Sequence, residues 1–268
     1  MPSTATMTTR VRTWLGHDHR SKVPEVTAGF WLAKSLTTAW GEATSDFMVK
    51  HMAPVLAVAI GGIAFAIALL TQFRADRYVA WIYWLAVSMV GVFGTMAADV
   101  LHVGLGIPYL AASIGFAIVL AAVFVCWQHL EGTLSIHSIV TPRRELFYWA
   151  AVCATFALGT ALGDMTAKTL GIGYFSSIFL FAGLIAIPAI GYWKFHLNAI
   201  LAFWSAYVLT RPLGASVADW LGQPTSIGGT GIGTGWVSLA FGLAIIGLVV
   251  FFSVTKDDVE EEHPRPHR

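Results

Sequence analysis

FYWAAVCATFALGTALGD, residues 147 to 164, is apolar and long enough to cross a lipid bilayer, yet it ends on a carboxylate, Asp164, fifteen residues after Trp149. A bilayer core accommodates about 20 apolar residues of helix, and a charge near its centre costs at least roughly 2.5 to 3.5 kcal/mol on insertion scales. One such stretch would be an oddity, but this chain has four. Aligned on the aromatic-Trp pairs Phe30-Trp31, Tyr83-Trp84, Tyr148-Trp149 and Phe203-Trp204, each copy has a glycine ten residues after the Trp: Gly41, Gly94, Gly159 and Gly214. Five residues further stands an aspartate: Asp46, Asp99, Asp164 and Asp219. The chain has only 15 acidic residues in 268, so identical spacing in four copies marks an internal repeat.

Outward from these stretches the chain stays apolar. It is 56% hydrophobic and 12% charged, about half the charged fraction of a soluble domain, so an integral membrane protein is expected. Apolar runs centred near residues 38, 63, 90, 118, 157, 184, 209 and 243 give eight candidate spans, the first interrupted by Lys34, Glu42 and Asp46. Each repeat is then one Asp-bearing helix, a short turn and one plainer returning helix. Two spans per unit orient all four units alike, as parallel repeats about an axis along the membrane normal. The expected fold is an all-α polytopic bundle, with a membrane domain at 23–255 made of repeats at about 23–76, 77–131, 142–196 and 197–255. Tails at 1–22 and 256–268 flank it. The N-terminal tail lacks the apolar core of a secretory signal.

Eight spans put both termini on one side, with Arg10, Arg12, Arg20, Lys22, Arg74, Arg77, Arg143, Arg144, Lys194, Lys256, Arg265 and Arg268; only Lys50 and Lys168 fall on the other. By the positive-inside rule the termini are cytoplasmic, and the Trp residues are expected in the aromatic belt of that interface. The net charge of +1, spread as topology determinants, argues against nucleic acid. Cys126 and Cys153 form no disulfide framework or metal motif, and no cofactor signature is present.

The run "KVPEVT" at 22 to 27, followed by "GEATSD", "GTMAAD", "GTALGD" and "TRPLGASVAD", resembles bacterial membrane-anchored proteins built from four tandem copies of a short repeat of unknown function. The resemblance covers the chain from about Lys22 to Val254 and implies the fold and a multi-pass inner-membrane location. It implies no activity.

Helical residues four apart share a face. The stripes ending on the repeated aspartates read Lys34, Thr38, Glu42, Asp46; Val87, Gly91, Thr95, Asp99; Val152, Phe156, Thr160, Asp164; and Tyr207, Arg211, Ala215, Asp219. If the four helices line one axis, a layer of four Asp lies over Glu42, Thr95 and Thr160. Such a path suits a cation or proton exchange, and its oxygen ligands suit a hard divalent metal on Asp46, Asp99, Asp164 and Asp219. His51 and His102 are candidates to extend that site. The leading functional expectation is a small transporter that exports a cation or divalent metal in exchange for protons, with Lys34 and Arg211 also on the path and no enzymatic activity. A second is a non-transporting structural or partner-binding module whose aspartates cap helix ends. A third is an anion carrier centred on Arg211, because guanidinium pairs bidentately with carboxylate. Arg211 is expected to ion-pair with Asp219 or a neighbouring repeat's acid, with Gly91 leaving its space, and Lys34 to pair with Glu42 or an acid of another copy. Pro212 is expected to kink or break the seventh helix, and Glu25 and Glu145 to mark interfacial helix starts. The Gly-rich "GGTGIGTG" at 228 to 235 reads as a flexible turn, and the loop at 129 to 145 as a site for a cytoplasmic partner. Beyond the bilayer and a cation or proton, a homo-oligomer is compatible with the chain's size.

Overall fold

A computed structural model describes residues 21–259, so most of both tails, with Arg10, Arg12, Arg20, Arg265 and Arg268, lies outside the described residues. Among the described residues the fold is all-α, with eight long helices and no strand: α1 (Ala28–His51), α2 (Pro54–Arg74), α3 (Ala80–Asp99), α4 (Tyr109–Glu131), α5 (Pro142–Asp164), α6 (Tyr174–Phe195), α7 (Ala199–Gly222) and α8 (Thr234–Thr255). Local chemistry sets the ends. The side chains of Thr27, Thr141 and Asn198 accept hydrogen bonds from the first free N–H groups of α1, α5 and α7. Pro54 and Pro142 open α2 and α5, where a missing N–H costs nothing, and Gly132 closes α4 at φ +73°.

The odd helices form an inner ring in which α1 packs on α3 and α7, and α5 packs on the same two. Each even helix lies outside and packs chiefly on the inner helix of the next unit: α2 on α3, α4 on α5, α6 on α7 and α8 back on α1. The units are thereby interlocked and the ring closes on itself. Outer faces are apolar and exposed, as at Ile63, Ile118, Phe179 and Ile246.

Six helices are long and apolar enough to cross a membrane: all four outer ones, plus α3 and α5 with their extensions. The two that fall short of the expected eight by composition, α1 and α7, are those carrying Lys34, Glu42, Asp46, Lys50 and Arg211, Asp219 along their length. Both have 24 residues, about 36 Å of helix. The Trp residues also depart from expectation. Trp84 and Trp149 are 1% exposed and Trp204 is buried, so these three pack inside the ring, while Trp31 is half-buried. Pro212 does not break α7, which continues to Gly222. Its ring packs against Gly159 of α5, where a Cβ would lie 3.1 Å from Pro212 Cδ.

Candidate functional site

The repeat spacing makes the inner ring close cyclically. The glycine ten residues after each Trp abuts the residue seven after the Trp of the next copy. A Cβ on Gly41 would meet the Gly91 backbone at 2.7 Å, one on Gly94 would meet Phe156 Cβ at 3.0 Å, and one on Gly159 would meet Arg211 Cγ at 2.3 Å. One on Gly214 would meet Thr38 Oγ1 at 2.1 Å, which returns from copy four to copy one. Small residues let helix backbones approach in this way. The space Arg211 occupies is therefore left by Gly159, and Gly91 instead faces Gly41 and Phe156.

At these crossings the four sequence stripes turn inward. Lys34, Val87, Val152 and Tyr207 form one buried layer, Thr38, Gly91, Phe156 and Arg211 the next, and Glu42, Thr95, Thr160 and Ala215 a third. Arg211 is fully buried and reaches all three other inner helices. Its Nη2 donates to Glu42 Oε2 (2.7 Å), to Thr160 Oγ1 (2.8 Å) and to Thr95 Oγ1, and its Nη1 donates to the Thr38 carbonyl (3.3 Å). Its acid partner is thus Glu42 of copy one, and Asp219 is not involved.

Lys34 does not pair with Glu42. Its Nζ is buried with no hydrogen-bond partner, 3.9 Å from the Phe156 ring centroid and 4.3 Å from that of Tyr207. Arg211 Cζ lies 5.2 Å from the same Phe156 centroid, so the two basic side chains share one ring. Glu42 is the only carboxylate bonded to either.

The aspartates form a rim at one end of this axis. Asp46 Oδ2 accepts from Lys50 Nζ (2.9 Å) and Gln223 Nε2 (2.6 Å), and Gln223 Nε2 also donates to Asp219 Oδ1 (3.0 Å). Asp164 pairs with Lys168 at 2.7 Å, across the π-helical turn Met165–Thr169 that extends α5. Asp99, followed by a matching turn at Val100–Gly104, is half-buried and has no side-chain partner among the described residues. No group of three or more His, Cys, Asp or Glu among the described residues is placed to hold a metal ion. The proposed metal set Asp46, Asp99, Asp164 and Asp219 does not converge, because lysine and glutamine side chains take up three of its four members. Nor do these aspartates cap the next helices; their partners are side chains. His51 and His102 are likewise engaged locally, on the carbonyls of Phe47 and Ile107. The glycine-rich turn is tied down: Gly231 N–H donates to the Gln223 carbonyl and Thr230 N–H to that of Trp220, holding Gln223 between its two aspartates.

The opposite end is closed by aromatic rings. Phe30, Tyr83 and Tyr148 are buried, the two tyrosine hydroxyls hydrogen-bond, and Trp84, Trp204 and Tyr207 pack among them. Residues 21 to 26 cross this end. Lys22 Nζ pairs with Glu145 Oε2 at 2.8 Å, Gln72 Nε2 donates to Glu145 Oε1 at 3.0 Å, and Tyr78 donates to Asp258. Glu145, expected at an interface, is fully buried, while Glu25 is exposed. The loop after α4 joins the closure through the Leu134 carbonyl, which accepts from Trp204 Nε1 at 3.0 Å.

Sequence reasoning assembled Lys34, Arg211, Glu42, Thr95, Thr160 and the aspartates on one axis but gave no role to Phe156, Tyr207 or Gln223. The first two stood in the same stripes. Gln223, four residues beyond Asp219, carried no repeat signal.

The molecule is therefore a closed ring of four two-helix units around a buried charged axis. The chain belongs to the family defined by a repeat of unknown function (DUF347), whose model matches four times in tandem, at residues 29–78, 82–133, 147–197 and 202–258. No curated protein and no solved structure matches it.

Proposed function

We propose that the protein is a small membrane carrier with eight spanning helices, both ends of the chain on one side, and the charged axis as its solute site. The observation that supports this is Arg211, fully buried and bonded to Glu42, Thr95 and Thr160 on three different helices. Ionisable groups inside a membrane bundle are costly and usually mark a solute or proton path. The apolar outer faces support α1 and α7 as spans, since both are shielded from lipid by their neighbours and are as long as the rest. The aromatic layer and residues 21 to 26 form one gate and the aspartate rim the mouth at the other end. The basic residues Arg74, Arg77, Arg143, Arg144, Lys194 and Lys256 gather at the aromatic end, which supports a cytoplasmic orientation for it.

A proton-coupled cation or metal path draws on the rim, where Asp99 is without a partner. The centre weighs against it, since its carboxylate, Glu42, is already bonded to Arg211. A non-transporting module is the second reading, favoured by the same four-helix clamp of Arg211, which would hold the ring together whether or not anything passes. Purified protein in proteoliposomes separates them. A carrier gives saturable uptake of at least one solute from a panel of Mn²⁺, Mg²⁺, protons, chloride, acetate and benzoate, and Glu42→Gln abolishes it while helical content is kept. A structural module gives no saturable uptake, and Glu42→Gln lowers only the melting temperature.

A further inference from the structure

Among the described residues, Lys34 is the axial side chain whose amino group is buried without a hydrogen-bond partner. The residue is 1% exposed, its Nζ has no acceptor among the described residues, and it lies against the rings of Phe156 and Tyr207. A desolvated cation-π contact returns less than it costs to remove an ammonium from water. The aromatic niche does not balance that cost alone. Arg211 shares the Phe156 ring, and its Nε is also buried without a partner. Glu42 is bonded to Arg211 alone, which leaves unused donors on Lys34 Nζ and Arg211 Nε at the centre of the molecule.

We propose that this axial pair binds a small monovalent anion of the carboxylate type, whose oxygens accept from Lys34 Nζ and Arg211 Nε while its apolar part lies against Phe156 and Tyr207. The proposal rests on the carrier reading and names its substrate class. Each feature has a chemical reason. Lys supplies rotatable donors, the two rings offer an apolar surface beside them, and Glu42, already bonded to Arg211, disfavours a second negative charge on the ligand. Glu42 also holds the Arg211 fork away from the ligand, so release does not require breaking a bidentate pair.

The test is calorimetric titration of the detergent-purified full chain with acetate, benzoate, chloride, nitrate and sulfate, beside Lys34→Met and Lys34→Gln, with melting temperatures for all three proteins. The wild type is expected to bind acetate or benzoate and to melt higher in their presence, with sulfate weaker. Removing the charge-assisted hydrogen bonds of Lys34 is expected to weaken binding roughly 10- to 100-fold. Lys34→Met, which breaks no hydrogen bond, is expected to melt no lower than the wild type without anion. Binding of chloride and nitrate but not the carboxylates would overturn the organic substrate class. A folded Lys34 variant that binds like the wild type, or a wild type that binds none of the probes, would overturn the site. Saturable cation uptake insensitive to Lys34→Met would sink this proposal and keep the carrier; anion binding without any uptake would do the reverse.

Discussion

The inner and outer helices come from the same repeated unit but obey different rules. The apolar windows of α2, α4, α6 and α8 are 17%, 22%, 22% and 11% buried, whereas those of the spans containing α3 and α5 are 56% and 72% buried. The outer helices meet their surroundings through exposed aliphatic side chains, so nearly any apolar residue of similar volume serves. The inner helices meet one another at glycines and single polar groups, where the identity of each atom matters. A membrane bundle has no hydrophobic drive between its helices, and close packing and interior polar contacts must supply the cohesion.

The comparison breaks most visibly at the glycines. Gly159→Val is expected to abolish the folded state, because even a Cβ would lie 2.3 Å and 2.5 Å from Arg211 Cγ and Cβ. Gly183→Ala on outer helix α6 meets nothing within 4 Å and is expected to be neutral or to stabilise by up to about 1 kcal/mol through helix propensity. Size-exclusion profiles and melting temperatures in detergent check both. Equal losses from the two changes would mean that the ring is not the packing core.

Ion pairs are next. Glu42→Ala leaves the Arg211 guanidinium buried and unpaired, and breaking a buried pair in this way costs about 3 to 5 kcal/mol. Glu131→Ala removes pairs to Arg143 and Arg144, whose side chains are 59% and 26% exposed, and is expected to cost no more than about 1 kcal/mol. Denaturation of the two variants under one condition gives the ratio directly. A smaller loss at Glu42 would indicate that water reaches the axis.

Smaller still is the effect expected at the hydroxyl pair of the aromatic end. Tyr83→Phe leaves the rings stacked but deprives the Tyr148 hydroxyl of its partner, for an expected loss of about 1 kcal/mol. Proteoliposome uptake in this variant sharpens the distinction between gate and core: a leak without loss of fold places the barrier at these hydroxyls.

What the sequence made legible follows the same divide. Residue spacing alone placed the four stripes, because a parallel repeat with one Trp-to-Asp interval fixes the same helical face in every copy. Hydropathy disclosed the outer helices, whose environment is uniform. The partners inside the ring were not legible, since they depend on which copy precedes which. Arg211 met an acid of the neighbouring repeat, one of its two expected partners, because the ring closes from copy four to copy one, but which acid that would be was not legible, and Lys34 was left without one. Glu145 looked interfacial by its position and is buried because residues 21 to 26, which carry no repeat signal, fold across it. Gln223 joins Asp46 to Asp219 through a glycine-rich turn whose positive φ angles at Gly228, Gly231 and Gly233 are a backbone property that apolar patterning does not encode.

The smallest effect belongs to neither ring. Asp258 lies beyond α8, buried against the segment at residues 21 to 26, with one carboxylate oxygen accepting from Tyr78 and the other unpartnered. Burial pushes its carboxyl above the usual aspartate range despite the Tyr78 hydrogen bond, which favours the ionised form. A carboxyl raised in the folded state binds its proton more tightly there than in the unfolded chain. Its contribution to stability is therefore fully present below the ordinary aspartate pKa and is lost as pH rises through the folded-state value. Melting temperature is expected to fall as pH rises across that interval, and Asp258→Asn, which cannot ionise, is expected to flatten this part of the profile. If the wild type and the variant keep the same slope, the titrating group lies elsewhere, and the closure over the aromatic end is held by the Lys22–Glu145 pair without help from the C-terminal segment.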